Sequence, residues 1–182
     1  MRFLRRYSST IYGQYRIFGV RAGLITGAAM AVAMILARLA GEQTQPSAPE
    51  NYITDAVMLV GMLFFAYRYR QTLPDSRVTI KELMLLGLWI GFVASALYGL
   101  LLWAYCAIDT GVVTRFAEAR LSIMSASGDA ARVARDTALV QSYTAADWGF
   151  IGGFRSAVMS ILMNFVAALV FRTEKAPLRN KC

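Results

Sequence analysis

Apolar residues in this chain come in four long runs separated by short polar connections. The runs cover about Phe18–Ala40, Tyr52–Tyr67, Leu83–Ile108 and Trp148–Phe171. Each is long enough to cross a bilayer as a helix, and none shows the alternation that marks a strand. Lipid then acts as the solvent, and every backbone polar group within a run must be satisfied inside its own helix. The pattern predicts an all-α fold, an integral membrane bundle of four transmembrane helices forming one domain over residues 1–182.

Only one sizeable segment lies between runs, about Asp109–Thr144. Val112, Phe116, Ala119 and Ile123 recur there at helical spacing, Ser127-Gly128-Asp129 interrupts, and Val133, Thr137 and Val140 resume the pattern. This predicts a helical external insert between spans three and four, either a short hairpin or extensions of those spans. The other connections are short. Gly41–Asn51 holds Pro46 and Pro49, and Arg68–Thr79 turns at Pro74-Asp75. Two helix starts carry the capping-box spacing, Thr79-Ile80-Lys81-Glu82 and Thr144-Ala145-Ala146-Asp147. In each, the hydroxyl can accept from an orphan N–H while the acid sits at the positive end of the helix dipole.

Charge orients the bundle. With the N-terminus in the cytoplasm, residues 1–21, 68–82 and 172–182 lie inside and hold 13 cations and 3 anions, while the remainder holds 6 and 8. Positive residues gather on the cytoplasmic side of membrane proteins, so both termini are expected there, in a multi-pass protein of a bacterial inner membrane. Arg2, Arg5 and Arg6 with Ala31-Val32-Ala33 resemble parts of a signal peptide. The apolar run continues to Leu36, however, and an uncleaved first span is expected.

Composition adds exclusions. The chain is 57% hydrophobic and 16% charged, with a mean hydropathy of +0.47, more apolar than a soluble domain of this size needs. A pI near 9.9 suggests nucleic acid, but the cations sit at the ends of apolar runs rather than in one basic stripe, so no nucleic-acid partner is expected. There is no histidine, and Cys106 and Cys182 fall on opposite sides of the membrane in this topology. Neither a disulfide nor a metal or other cofactor is expected.

Small residues recur at spacing four within the spans. Gly19, Gly23, Gly27 and Ala31 do so in the first, and Gly87, Gly91, Ser95 and Gly99 in the third. The fourth carries Gly149, Gly153 and Ala157, with a second row at Gly152, Ser156 and Ser160. Such ridges let backbones approach closely where lipid supplies no hydrophobic drive. They serve packing within the monomer or a homo-oligomer seam, and the first reading is preferred because glycine is common in membrane helices. Trp89, Phe92, Ala96, Leu100 and Trp103 lie on the opposite face of span three, which places both tryptophans outward as interface anchors.

Ionisable residues within the runs are few. Arg21 and Arg38 lie near span ends, where a long stem carries the guanidinium to the headgroups. Asp55 and Arg155 fall at similar depth in spans two and four and form a candidate intramembrane polar pair. Taken singly, Asp55 is a first-turn acid favoured by the helix dipole and Arg155 a side chain reaching the outer headgroups. Met58 and Met62 share the Asp55 face as core filler, and Asn164 is suited to an interhelical hydrogen bond.

The block Tyr67-Arg68-Tyr69-Arg70, then Val78-Thr79-Ile80-Lys81-Glu82-Leu83, then Leu86-Gly87-Leu88-Trp89-Ile90-Gly91 through Ala96-Leu97-Tyr98 resembles the bacterial membrane family called domain of unknown function 4199. The resemblance extends to the four-span plan with a helical insert before the last span. This insert is poorer in Glu and Met than the family pattern. The resemblance implies no activity and no catalytic residue, and it points to membrane glycosyltransferases as a partner class. With no nucleophile–base set, metal cluster or phosphate loop, the chain is expected not to be an enzyme. An accessory or scaffold subunit of another membrane complex is the leading expectation, with the lipid bilayer and a second copy or other membrane protein as partners. A small oligomeric transporter or lipid-carrier flippase associated with a membrane glycosyltransferase is the alternative, with Asp55 and Arg155 lining its path. A lipid-acting enzyme would need those two to converge with Thr54 and Ser156.

Overall fold

The computed structural model describes residues 11–39, 49–73, 78–125 and 130–172. Pro46, the Pro74-Asp75 turn, Ser127-Gly128-Asp129, Cys182 and most of the cation-rich tails lie outside the described residues, as does the side chain of Arg38. Among the described residues every regular element is a helix. In chain order they are α1 (Ile11–Leu39), α2 (Pro49–Thr72), α3 (Ile80–Ile108), α4 (Thr110–Ser125), α5 (Ala130–Gln141) and α6 (Ala145–Phe171).

Three of these are long and apolar enough to cross a membrane: Tyr15–Ala37 within α1, and the whole of α3 and α6. The fourth expected span is the 24-residue α2. Its apolar stretch is diluted by Glu50, Asp55, Arg68 and Arg70, and length and composition alone do not qualify it. Both α1 and α2 extend beyond their apolar runs, α2 beginning at Pro49, whose fixed φ and missing N–H suit a first helical position.

Both capping boxes form. The Thr79 N–H donates to Glu82 Oε2 at 2.9 Å while the Glu82 N–H donates to Thr79 Oγ1 at 3.3 Å. At α6 the Thr144 N–H donates to Asp147 Oδ2 at 2.7 Å, and the Asp147 N–H returns to Thr144 Oγ1 at 3.4 Å. One residue, Asp109, separates α3 from α4. Its N–H donates to the Tyr105 carbonyl at 3.0 Å, closing α3, and its carboxylate accepts from the Gly111 N–H at 3.1 Å, opening α4.

Packing fixes the relative directions of the long helices. Along α1, Gly19, Gly23 and Gly27 meet Trp89, Val93 and Ala94 of α3 in turn, so these two run in parallel. The glycines of α3 meet α6 in reverse order, Gly87 at Asn164, Gly91 at Ser160 and Gly99 at Gly149 and Gly153, so α3 and α6 are antiparallel. α2 runs opposite to α1, with Gly61 on Thr26 and Tyr69 on Phe18 at a ring separation of 5.4 Å. α3 sits at the centre, packed most extensively against α6 and α1. Met30, Met34, Met58 and Met62 are fully buried in the core, as are Leu83, Leu86 and Ile90. Unbranched thioether chains suit the irregular space between helices that cross at different separations.

Span three does not divide cleanly into an inner glycine face and an outer aromatic face. Phe92, Leu100 and Trp103 are exposed, but Trp89 is half-buried, its Cβ filling the slot beside Gly19. The Arg16 guanidinium lies 4.9 Å from the Trp89 ring centroid, within cation–π range.

Candidate functional site

Asp55 stands in the second turn of α2, and Arg155 lies about three turns into α6. The structure brings them together. Arg155 Nη2 donates to Asp55 Oδ2 at 2.7 Å and Nη1 to Oδ1 at 3.2 Å, a bidentate fork that matches guanidinium to carboxylate. The acid is enclosed, its side chain 12% exposed, whereas the Arg155 side chain is 38% exposed. Thr54 and Ser156, next to them in sequence, are both buried. Each oxygen of the Asp55 carboxylate accepts one hydrogen bond from Arg155. Among the described residues, no three His, Cys, Asp or Glu side chains gather as a metal site.

Deeper in α6, Asn164 spans to α3. Its Nδ2 donates to the Met84 carbonyl oxygen at 2.8 Å, and its amide occupies the slot beside Gly87. Ser160 fills the neighbouring slot beside Gly91 and returns its own proton to the Ala157 carbonyl at 2.7 Å. The pairing of Asn164 with Gly87 was hidden in the sequence. An antiparallel α3 and α6 places the two at one depth, but only once the register is known.

Gly27, Gly99, Gly149 and Gly153 bring backbones together. A Cβ on Gly27 would lie 2.7 Å from the Ala94 carbonyl oxygen and 3.0 Å from its Cα. A Cβ on Gly99 would lie 2.8 Å from the Gly149 carbonyl oxygen and 3.0 Å from the Gly153 Cα. These helices touch through main chain, which does not yield as a side chain can.

Beside the Gly99 contact an apolar groove of about 410 Å³ opens on the outside of α3 and α6. Gly99, Gly149 and Gly153 lie along it, and Phe92, Trp103 and Phe154 wall it. Neither Asp55 nor Arg155 lines this groove.

Residues 21–173 match the model of a family described as a protein of unknown function, DUF4199. The chain belongs to the DUF4199 family. The matched stretch takes in Asp55, Arg155, Asn164 and the groove, so each is part of the DUF4199 portion of the chain. No curated protein and no solved structure matches the chain.

Proposed function

We propose that this DUF4199 protein crosses a bacterial inner membrane four times, keeps both termini in the cytoplasm, and serves as an accessory or scaffold subunit of a larger membrane complex. One observation carries the four-pass reading: α1 and α3 run in the same direction. A chain that crosses twice the same way must return in between, and α2 is the segment that joins them. α2 lies beside α1 from Gly61 on Thr26 to Tyr69 on Phe18, at the depth of an apolar helix. The Asp55 carboxylate, which dilutes the apolar character of α2, is neutralised by Arg155. The gathering of cations in residues 1–21, 68–82 and 172–182 supports placing those segments inside. On this topology α4 and α5 form an external helical insert.

The non-enzymatic, accessory role rests on the tasks the polar groups already perform. Asp55 and Arg155 clasp α2 to α6, and Asn164 ties α6 to α3. The Gly ridges are occupied by packing within the monomer. The surface left over is apolar and suited to lipid or to another membrane protein, a membrane glycosyltransferase being the class to try first. Reporter fusions at the two tails and at residues 126–129 test the topology, with the tails inside and residues 126–129 outside as the expected result. Pull-down from mild detergent tests the role. Recovery of the isolated chain alone across growth conditions would count against an accessory subunit.

A further inference from the structure

α2 is held differently from the other long helices. α1 and α3 meet main chain to main chain at Gly27 and Ala94, and α3 and α6 do so at Gly99, Gly149 and Gly153. A Cβ on Gly61 of α2 would instead meet the Thr26 side chain. α2 lies against α1 and α6, with less contact to the central α3. Among the described residues it is also the long helix whose length and composition do not qualify it to cross a membrane. Its buried stripe runs Asp55, Met58, Met62, Ala66 and Tyr69, and the Asp55 carboxylate is the charge in it.

Asp55 and Arg155 do not depend on one another equally. Because α2 begins at Pro49, Asp55 stands in its second turn, beyond the reach of the helix dipole. Its Cα is about 5 Å below Tyr52, where the apolar run starts, and a single methylene gives the carboxylate no reach. Arg155 lies about 10 Å below Trp148 in α6, but a long side chain on a helix leans toward the N-terminus, here the nearer surface. Its side chain is 38% exposed, against 12% for Asp55. An arginine can carry its charge along a flexible stem to the headgroups, and an aspartate at the same depth cannot. Without its partner Arg155 has somewhere to go, and Asp55 has not.

We propose that Arg155 sets the depth of α2 in the membrane. It supplies the positive charge that lets the Asp55 turn lie below the outer surface, while α6 keeps its own place without Asp55. The proposal rests on the four-pass reading given above. The two residues are 100 positions apart, so α2 takes its final place only after α6 has entered the bilayer. At the other end of α2, Arg68 and Arg70 hold the helix at the inner surface. An unpaired Asp55 therefore lifts or unwinds the outer turns and does not expel the whole helix.

The test measures water access along α2 in the full-length protein in spheroplasts, with Cys106→Ala and Cys182→Ala removing the native thiols. A membrane-impermeant maleimide is added from outside. Ala56→Cys, at an exposed position beside Asp55, should react slowly, because a thiol kept from water does not form the thiolate. Arg155→Leu should raise that rate about tenfold, the shift expected for an unpaired carboxylate near a membrane surface. Adding Asp55→Leu to Arg155→Leu should restore the slow rate. An unchanged rate in Arg155→Leu overturns the proposal, and so does a fast rate that persists in the double variant, which would mean lost packing. Should Arg155→Leu fail to accumulate, Arg155→Lys keeps the charge but loses the fork and should raise the rate about threefold, no rise again overturning the proposal. The mirror variant tests the asymmetry. Asp55→Leu should leave Val158→Cys, exposed on α6, as protected as in the wild-type background, and faster labelling there sinks the one-sided claim. Topology fusions read in parallel keep the two claims apart. Unchanged labelling with the expected topology sinks only the depth-setting role, whereas tails on opposite sides, or rapid labelling of Ala56→Cys with Arg155 in place, sink the four-pass reading first.

Discussion

The α1–α3 seam and the α2–α6 contact solve one problem by opposite means. At the seam side chains are removed: Gly19, Gly23 and Gly27 let α1 lie against α3 until Gly27 faces the Ala94 main chain. Between α2 and α6 side chains are added, and the Asp55–Arg155 fork reaches across. The first depends on fit along several turns and uses no charge. The second depends on two atoms of opposite sign in one place. Close fit is intolerant of any added volume, while an ion pair tolerates loss of both partners better than loss of one.

Substitutions can break each half of that contrast. Gly27→Leu should have the largest effect, about 3 kcal/mol or more, since its side chain meets backbone that cannot move aside. Thermal unfolding in detergent reads this, and a midpoint equal to wild type would mean α1 and α3 do not touch there. Asp55→Leu should cost about 2 kcal/mol by stranding Arg155, tempered by the partial exposure of the Arg155 side chain. Adding Arg155→Leu should recover most of that loss, and a double variant as unstable as the single one would show that the pair does more than clasp. Asn164→Leu should cost about 1 kcal/mol, from one hydrogen bond to Met84 and a poorer fit beside Gly87. Thr26→Val should have the smallest effect and the opposite sign. Thr26 Oγ1 is buried and has no hydrogen-bond partner among the described residues, so replacing the hydroxyl by a methyl should stabilise by a few tenths of a kcal/mol, about the low end for a buried polar group. A destabilised Thr26→Val would reveal a partner for that hydroxyl.

The sequence exposed features whose cause is local or whose rarity is conspicuous. Thr79 with Glu82 and Thr144 with Asp147 are legible because a capping box needs only four consecutive residues. Asp55 and Arg155 stand out because a charge in an apolar run demands a reason, although sequence alone could not choose between one pair and two independent roles. The glycine spacing was visible, but its partners were not. Gly87 finds Asn164 and Gly91 finds Ser160 only through the register of α3 on α6. Helical angle alone assigns Trp89 to the lipid-facing side, but α3 is gripped on more than one side and the slot at Gly19 takes that flank. The groove left no trace in the sequence, since its wall residues look like ordinary lipid-facing aromatics until α3 and α6 are set side by side. The apolar middle of α2 predicts a span, while Glu50, Asp55, Arg68 and Arg70 lower the average over a full crossing length.

Asp109 closes α3 with its amide and opens α4 with its carboxylate, leaving no slack between the two helices. The angle between α3 and α4 is therefore set at a single residue, and a substitution that removes the Asp109 carboxylate takes away the hydrogen bond that starts the second helix.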